Sequence, residues 1–230
     1  GVEDAGGITA FNSDGFTTSD GYGSDGDGSG HDFVVWNWLA GNATLGTGDF
    51  TQGNAASTCS RNVDAGFSIV SYTGNSTANR TVGHGLSKAP EMIIIKNRDD
   101  GDAWNVYHEG VGTTGTTVNS LPEYYVLALQ TTGARADFSV DTIWGSTATT
   151  FMIDQGGGGS AQLNLNTEKY IAYCWHSVDG FSKVGLYEGN NNDDGTFVYT
   201  GFRPAFILSK RWEGADSWNM IDSARDTYNA

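Results

Sequence analysis

Pro90-Glu91-Met92-Ile93-Ile94-Ile95-Lys96 runs into Asn97-Arg98-Asp99-Asp100-Gly101-Asp102-Ala103 and closes on Trp104-Asn105. Consecutive apolar residues between a proline and an acidic, glycine-containing turn read as a strand buried on both faces. The stretch from Trp104 to Tyr107 beyond the turn reads as a second strand. The passage returns 114 positions later, as Pro204-Ala205-Phe206-Ile207-Leu208-Ser209-Lys210 through Asp216 to Trp218-Asn219. Pro, Lys, Asp and Trp recur at equal spacing, so one structural unit is predicted to be used twice.

Outward from this core the repetition continues. Gly66-Phe67-Ser68-Ile69-Val70-Ser71-Tyr72 alternates with period two and ends at Thr73-Gly74-Asn75; Gly180-Phe181-Ser182 stands 114 positions on. Val184-Gly185-Leu186-Tyr187 then ends at Glu188-Gly189-Asn190, again a predicted strand followed by a turn. Phe33-Val34-Val35-Trp36-Asn37-Trp38 matches Tyr170-Ile171-Ala172-Tyr173-Cys174-Trp175 at an offset of 137. The earlier copy therefore carries an insertion over 39–65 that the later one lacks. Further strands are expected at Tyr125 to Leu129, Phe138 to Val140, Thr150 to Ile153 and Phe197 to Thr200, and no helical period of useful length is present. Thr9 to Phe16 roughly matches Trp144 to Phe151. The expectation is an all-β chain of sandwich or jelly-roll type. Its repeats span 1–118 and 119–230, standing in tandem or paired into one larger sandwich.

Composition agrees with many short strands and tight turns: 33 Gly and 3 Pro among 230 residues. Twelve Lys and Arg against 27 Asp and Glu give a formal charge of −15, which repels nucleic acid and anionic membranes. No apolar stretch approaches the roughly 18 residues of a membrane-spanning helix, so membrane insertion is not expected. Cys59 lies in the insertion and Cys174 in a strand-like run, a layout that favours two free thiols over a bridge.

Asp25, Asp27 and Ser29, with Gly30 at the sixth place, have the spacing of a calcium loop. Trp36 occupies the twelfth place, where the acidic ligand belongs, and the equivalent Gln155 to Ser160 has no acids, so a solvated acidic turn competes with a Ca²⁺ site. No other cofactor is expected. His31, His84, His108 and His176 are too far apart in sequence for a zinc pair, and His84, between Gly83 and Gly85, reads as a turn or surface residue. Gly156-Gly157-Gly158-Gly159-Ser160 lacks the Lys of a phosphate loop, and Glu91 and Glu109 do not share a strand face as paired glycosidase acids often do. Lys96 with Asp102, and Lys210 with Asp216, read as structural ion pairs beside Trp104 and Trp218 rather than a ligand site. Most tryptophans are expected in the core. Trp144 and Trp212, next to turns, are the candidates for a sugar-stacking platform. Within Leu39 to Ala65, Asn54 offers polar contacts and Phe50 an apolar anchor for a glycan or a neighbouring subunit. A passive spacer is the competing reading, and either way the fold is expected to tolerate a shortened insertion.

The blocks Gly66 to Asn75, Val82 to His108, Glu168 to Asn190 and Phe197 to Asp226 resemble a repeated domain of phage proteins. That domain belongs to predicted tail-fibre and other virion structural proteins of marine phages, cyanophages among them. The resemblance covers nearly the whole chain, through the Gly-Phe-Ser, Tyr-Thr-Gly-Asn and Gly-Phe-Arg-Pro-Ala-Phe signatures. It implies a concanavalin A-like or jelly-roll sandwich on the exterior of a virion. It also implies a non-enzymatic tail-fibre or surface-fibre segment that contacts the host, with other virion subunits as partners, and it carries no catalytic residues. A homo-oligomer, a trimer included, and contact with a host surface glycan are expected with it. The alternative from another class is a secreted or cell-surface carbohydrate-binding module.

Overall fold

The computed structural model describes residues 8–18, 35–41, 44–112, 125–137, 146–153 and 163–224, in two units, 1–37 and 38–230. In the first unit β1 (Ile8–Phe11) and β2 (Phe16–Thr18) form an antiparallel hairpin. Across its turn the Asn12 amide N–H donates to the Gly15 carbonyl at 2.8 Å.

The second unit carries β3 (Thr44–Leu45), β4 (Ser57–Asn62), β5 (Phe67–Thr73), β6 (Arg80–Gly83), β7 (Met92–Asn97) and β8 (Asn105–His108). It continues with β9 (Tyr125–Ala128), β10 (Ala136–Asp137), β11 (Thr150–Ile153), β12 (Lys169–Trp175), β13 (Phe206–Ser209) and β14 (Asn219–Asp222). Eight of these strands make one sheet in the order β10-β9-β8-β7-β12-β5-β4-β3, each neighbouring pair antiparallel. β6 pairs with β11 and β13 with β14. The fold is an all-β sandwich.

β7 has Ile93, Ile94 and Ile95 all buried, because both faces of the sheet are covered at this strand. One face packs Ile93, Ile95, Val70, Tyr170 and Ala172 against Val82 of β6 and Phe151 and Ile153 of β11. The other gathers Ile94, Val106 and Leu127 with Tyr173, Trp175, Trp212 and Trp218. β12, from the 119–230 half of the sequence, lies between β5 and β7 of the 1–118 half, so the two halves contribute to a single sheet.

The repeated passages form the same hairpin. β7 pairs with β8 through Met92↔His108 and Ile95↔Asn105, and β13 pairs with β14 through Phe206↔Asp222 and Ser209↔Asn219. Each residue of the second set stands 114 positions after its counterpart, so strand length, loop length and register are all reproduced. The repetition is not carried through the remaining strands. Val184 to Tyr187 and Phe197 to Thr200, expected as strands, have no strand pairing among the described residues. An extended segment becomes a strand only when a neighbour takes its backbone hydrogen bonds, and among the described residues no strand pairs with these two segments.

The 39–65 insertion is structural. β4 is the sheet neighbour of β5 along its whole length, Gly53 bridges to Val82, and Phe50, Ala55 and Cys59 are core residues. The expectation that this stretch could be shortened without loss of the fold is corrected by these contacts.

Candidate functional site

Of the residues singled out from sequence, Phe50, Asn54 and Trp212 fall among the described residues. Phe50, expected as an exposed anchor, is only 4 % exposed and fills the core. Asn54 is exposed but committed: its backbone N–H donates to Thr81 O at 3.0 Å, its Oδ1 accepts from Thr81 N–H at 2.8 Å, and its Nδ2 donates to Asn79 O at 3.4 Å. Trp212 is half-buried under the Arg135 guanidinium, whose carbon lies 4.2 Å from the Trp212 ring and 3.8 Å from that of Tyr125. That stacking occupies a face a sugar would need. Trp144, and Asp25, Asp27 and Ser29 of the acidic loop, lie outside the described residues.

Lys96 and Lys210 are turn fasteners. Lys96 Nζ donates to the carbonyls of Asn97 and Asp100 at 2.6 and 2.8 Å, and Lys210 Nζ to those of Arg211 and Gly214 at 2.6 and 3.2 Å. Asp102 and Asp216 each accept from the residue after the lysine, from Asn97 Nδ2 at 3.0 Å and from Arg211 Nη1 at 3.1 Å. The contacts are structural, but the expected Lys210–Asp216 ion pair is corrected: Asp216 pairs with Arg211, and the lysine ammonium groups are directed at backbone carbonyls.

His84, expected in a turn or on the surface, is fully buried. Its Nδ1 accepts from Leu86 N–H at 3.1 Å, so Nε2 carries the proton and donates to Thr147 O at 3.1 Å. Burial holds the imidazole down at about 4. The His84 carbonyl in turn accepts from Ser68 Oγ at 2.6 Å and, weakly, from Cys59 Sγ at 3.8 Å. Cys59 and Cys174 are free and buried; burial pushes the Cys59 thiol up to about 11 and raises that of Cys174 as well, which makes both poor nucleophiles.

One constellation escaped the sequence because its members are far apart in the chain. Buried His176 donates from Nδ1 to Ser177 O at 2.8 Å, leaving Nε2 to accept from the exposed Ser87 hydroxyl at 3.4 Å. A carbonyl holds the imidazole where a hydrolase would use a carboxylate, and the nearby Glu91 carboxylate accepts from the backbone and hydroxyl of Ser177 instead. The geometry links the loops that carry Ser87, Glu91 and Ser177.

Two further features stand out among the described residues. The first is a polar groove of about 230 Å³ lined by Asn54, Asn75, Thr77, Ala78 and Arg80. Buried Asn164 braces it, its Oδ1 accepting from Asn75 N–H at 3.0 Å and its Nδ2 donating to Thr77 O at 2.8 Å. Gly74 permits this close approach, since a Cβ there would stand 2.1 Å from Leu165 O. The second surface is aromatic and apolar. Trp38, Trp175, Tyr173 and Trp104 follow one another with ring centroids 6.2, 6.2 and 6.4 Å apart, and Trp38 and Trp104 are exposed rather than core as expected. Phe181, Leu186, Tyr187, Phe197 and Tyr199 are exposed as well.

These features define an all-β sandwich with an internal hairpin repeat and several exposed aromatic and apolar side chains. The family described as Domain of unknown function (DUF7483) matches residues 2–230, and the chain belongs to it. No curated protein and no solved structure matches the chain.

Proposed function

We propose that this chain is a structural segment of a phage particle, part of a tail fibre or surface fibre on the virion exterior that contacts the host. It works by assembly with other virion subunits and not by catalysis. The observation that carries this reading is the exposure of six large apolar residues from Phe181 to Tyr199, side chains of the kind that a subunit interface covers. The resemblance of the repeated blocks to tail-fibre and virion structural proteins supports it too. Immunogold labelling of particles with antibody raised against the chain should mark a fibre or other surface structure. Labelling of the host envelope with bare particles would overturn the reading.

The polar groove favours a second reading, a carbohydrate-binding module, because Asn75, Thr77 and Arg80 present the hydrogen-bonding side chains that sugar hydroxyls use. Saturable binding on a glycan array, abolished by Thr77→Ala with Arg80→Ala, would favour it.

A further inference from the structure

The polar groove beside β6 is held by side chains from other parts of the chain. Asn164, with none of its surface exposed, binds the Asn75 N–H and the Thr77 carbonyl, and Asn54 binds the Thr81 N–H and the Asn79 carbonyl. Asn75, Thr77 and Arg80 therefore line the groove from a braced turn and the strand that follows it.

That bracing engages the acceptors of the lining and leaves donors over. Asn54 Oδ1 takes the Thr81 N–H, Asn75 Oδ1 takes the Thr77 N–H at 3.1 Å, and the Thr77 carbonyl takes Asn164 Nδ2. Among the described residues, Thr77 Oγ1 is the one side-chain oxygen of the lining that accepts no hydrogen bond. Asn75 Nδ2 has no partner there. Arg80 makes a single long hydrogen bond, from Nη2 to the Thr73 carbonyl at 3.4 Å, while its Nε is buried without a partner and Nη1 is unpaired. The chain has 27 acids against 12 bases, yet no carboxylate lines the groove or pairs with this guanidinium among the described residues.

A neutral sugar hydroxyl both donates and accepts, and for its donor half the lining side chains offer only the Thr77 hydroxyl. An ionised carboxylate only accepts, and it forms charge-assisted, often bidentate hydrogen bonds with a guanidinium. The surplus of donors therefore selects an acceptor that carries negative charge. The volume of about 230 Å³ is on the order of eight water molecules, room for a single ring. A formal charge of −15 on the whole chain repels densely charged polymers, so the fit is to one isolated carboxylate and not to a nucleic acid or a heavily sulfated chain.

We propose that the groove recognises one uronic acid unit of a glycan, with Arg80 and Asn75 Nδ2 donating to its carboxylate and the Thr77 hydroxyl accepting from the ring. The inference deepens the carbohydrate-binding reading and rests on it.

The test is a titration of the full chain, followed by calorimetry and by amide NMR, with a galacturonic acid trimer, its methyl ester and a neutral galactose trimer. The acid should bind and shift the amides of residues 75–81, and the ester and the neutral trimer should bind about tenfold more weakly or worse, the scale of a charge-assisted hydrogen bond. Arg80→Gln should remove the preference for the acid. Asn75→Asp keeps an oxygen for the Thr77 N–H and adds a like charge, so it should remove binding of the acid at an unchanged melting temperature. Equal binding of all three trimers would keep the carbohydrate-binding reading and overturn the carboxylate, and binding of none would overturn both. Acid binding that survives both variants overturns the proposal by placing the site elsewhere. Equally tight binding of an aspartate tripeptide or of a sulfated galactose trimer overturns the assignment to a uronic acid.

Discussion

Tyr170 lies flat against Tyr72, ring centroids 5.0 Å apart and planes 8° from parallel. The two are direct cross-strand neighbours in β12 and β5. Both are buried, and the Tyr72 hydroxyl donates to Leu163 O at 3.0 Å while the Tyr170 oxygen accepts from Leu165 N–H at 3.0 Å. This stack fastens the carboxy-terminal half of the chain into the sheet of the amino-terminal half, and it also ends the network that supports the polar groove.

Tyr170→Ala should therefore cost about 4 kcal/mol, the usual scale for removing a buried aromatic side chain, and Tyr72→Phe about 1 kcal/mol for the lost hydrogen bond. Chemical denaturation checks both. A Tyr170→Ala protein with the parental midpoint would mean that β12 contributes little to the sheet.

Gly74→Ala introduces a Cβ 2.1 Å from the Leu165 carbonyl, a distance only backbone movement can relieve. A loss of roughly 2 kcal/mol or more is expected from the overpacking, together with disturbance of the Asn75 to Thr77 turn. Hydrogen exchange at Asn75 and Ser76, whose N–H groups donate to Asn164, reports the turn directly. Unaltered protection there would contradict the assigned packing.

His84 sets a pH dependence. Its folded value of about 4 lies below the ordinary 6.5, so the unfolded chain binds the proton more readily and stability falls as pH drops from 6.5 towards 4. The full loss attributable to this group is roughly 3 kcal/mol, reached below pH 4. His84→Gln should be less stable than the parent at pH 8, and the gap should narrow on acidification through that window. A difference independent of pH would show that the imidazole is not held neutral by burial.

Replacing residues 40–64 by a short Gly-Ser turn should abolish cooperative folding, because it removes β4 from the edge of β5 and takes Phe50, Ala55 and Cys59 from the core. Circular dichroism with a thermal melt decides the matter, and a folded, cooperatively melting product would restore the insertion to the status of a spacer.

Turn and strand chemistry within short reach was legible in the sequence. The apolar run Met92 to Ile95, its acidic turn and its return at 206–222 gave two hairpins of equal register, since a hairpin's register depends on loop length and on the side chains beside it. The alternation of Phe67 to Tyr72 and the pattern of Tyr170 to Trp175 likewise identified β5 and β12 as strands. What those strands pair with was not legible. β12 lies between β5 and β7, His84 is sealed beneath Thr147, and the 39–65 stretch supplies a central neighbour of β5, each through contacts between residues remote in sequence. The contrast between Phe67 and Phe181 makes the reason plain. Both follow glycines with positive φ, Gly66 at 63° and Gly180 at 73°, so the local conformation repeats, yet one phenylalanine is buried and the other is bare. Local sequence fixes the turn; burial and strand formation depend on whether another part of the chain arrives to supply hydrogen bonds and apolar area, and only the tertiary structure decides that.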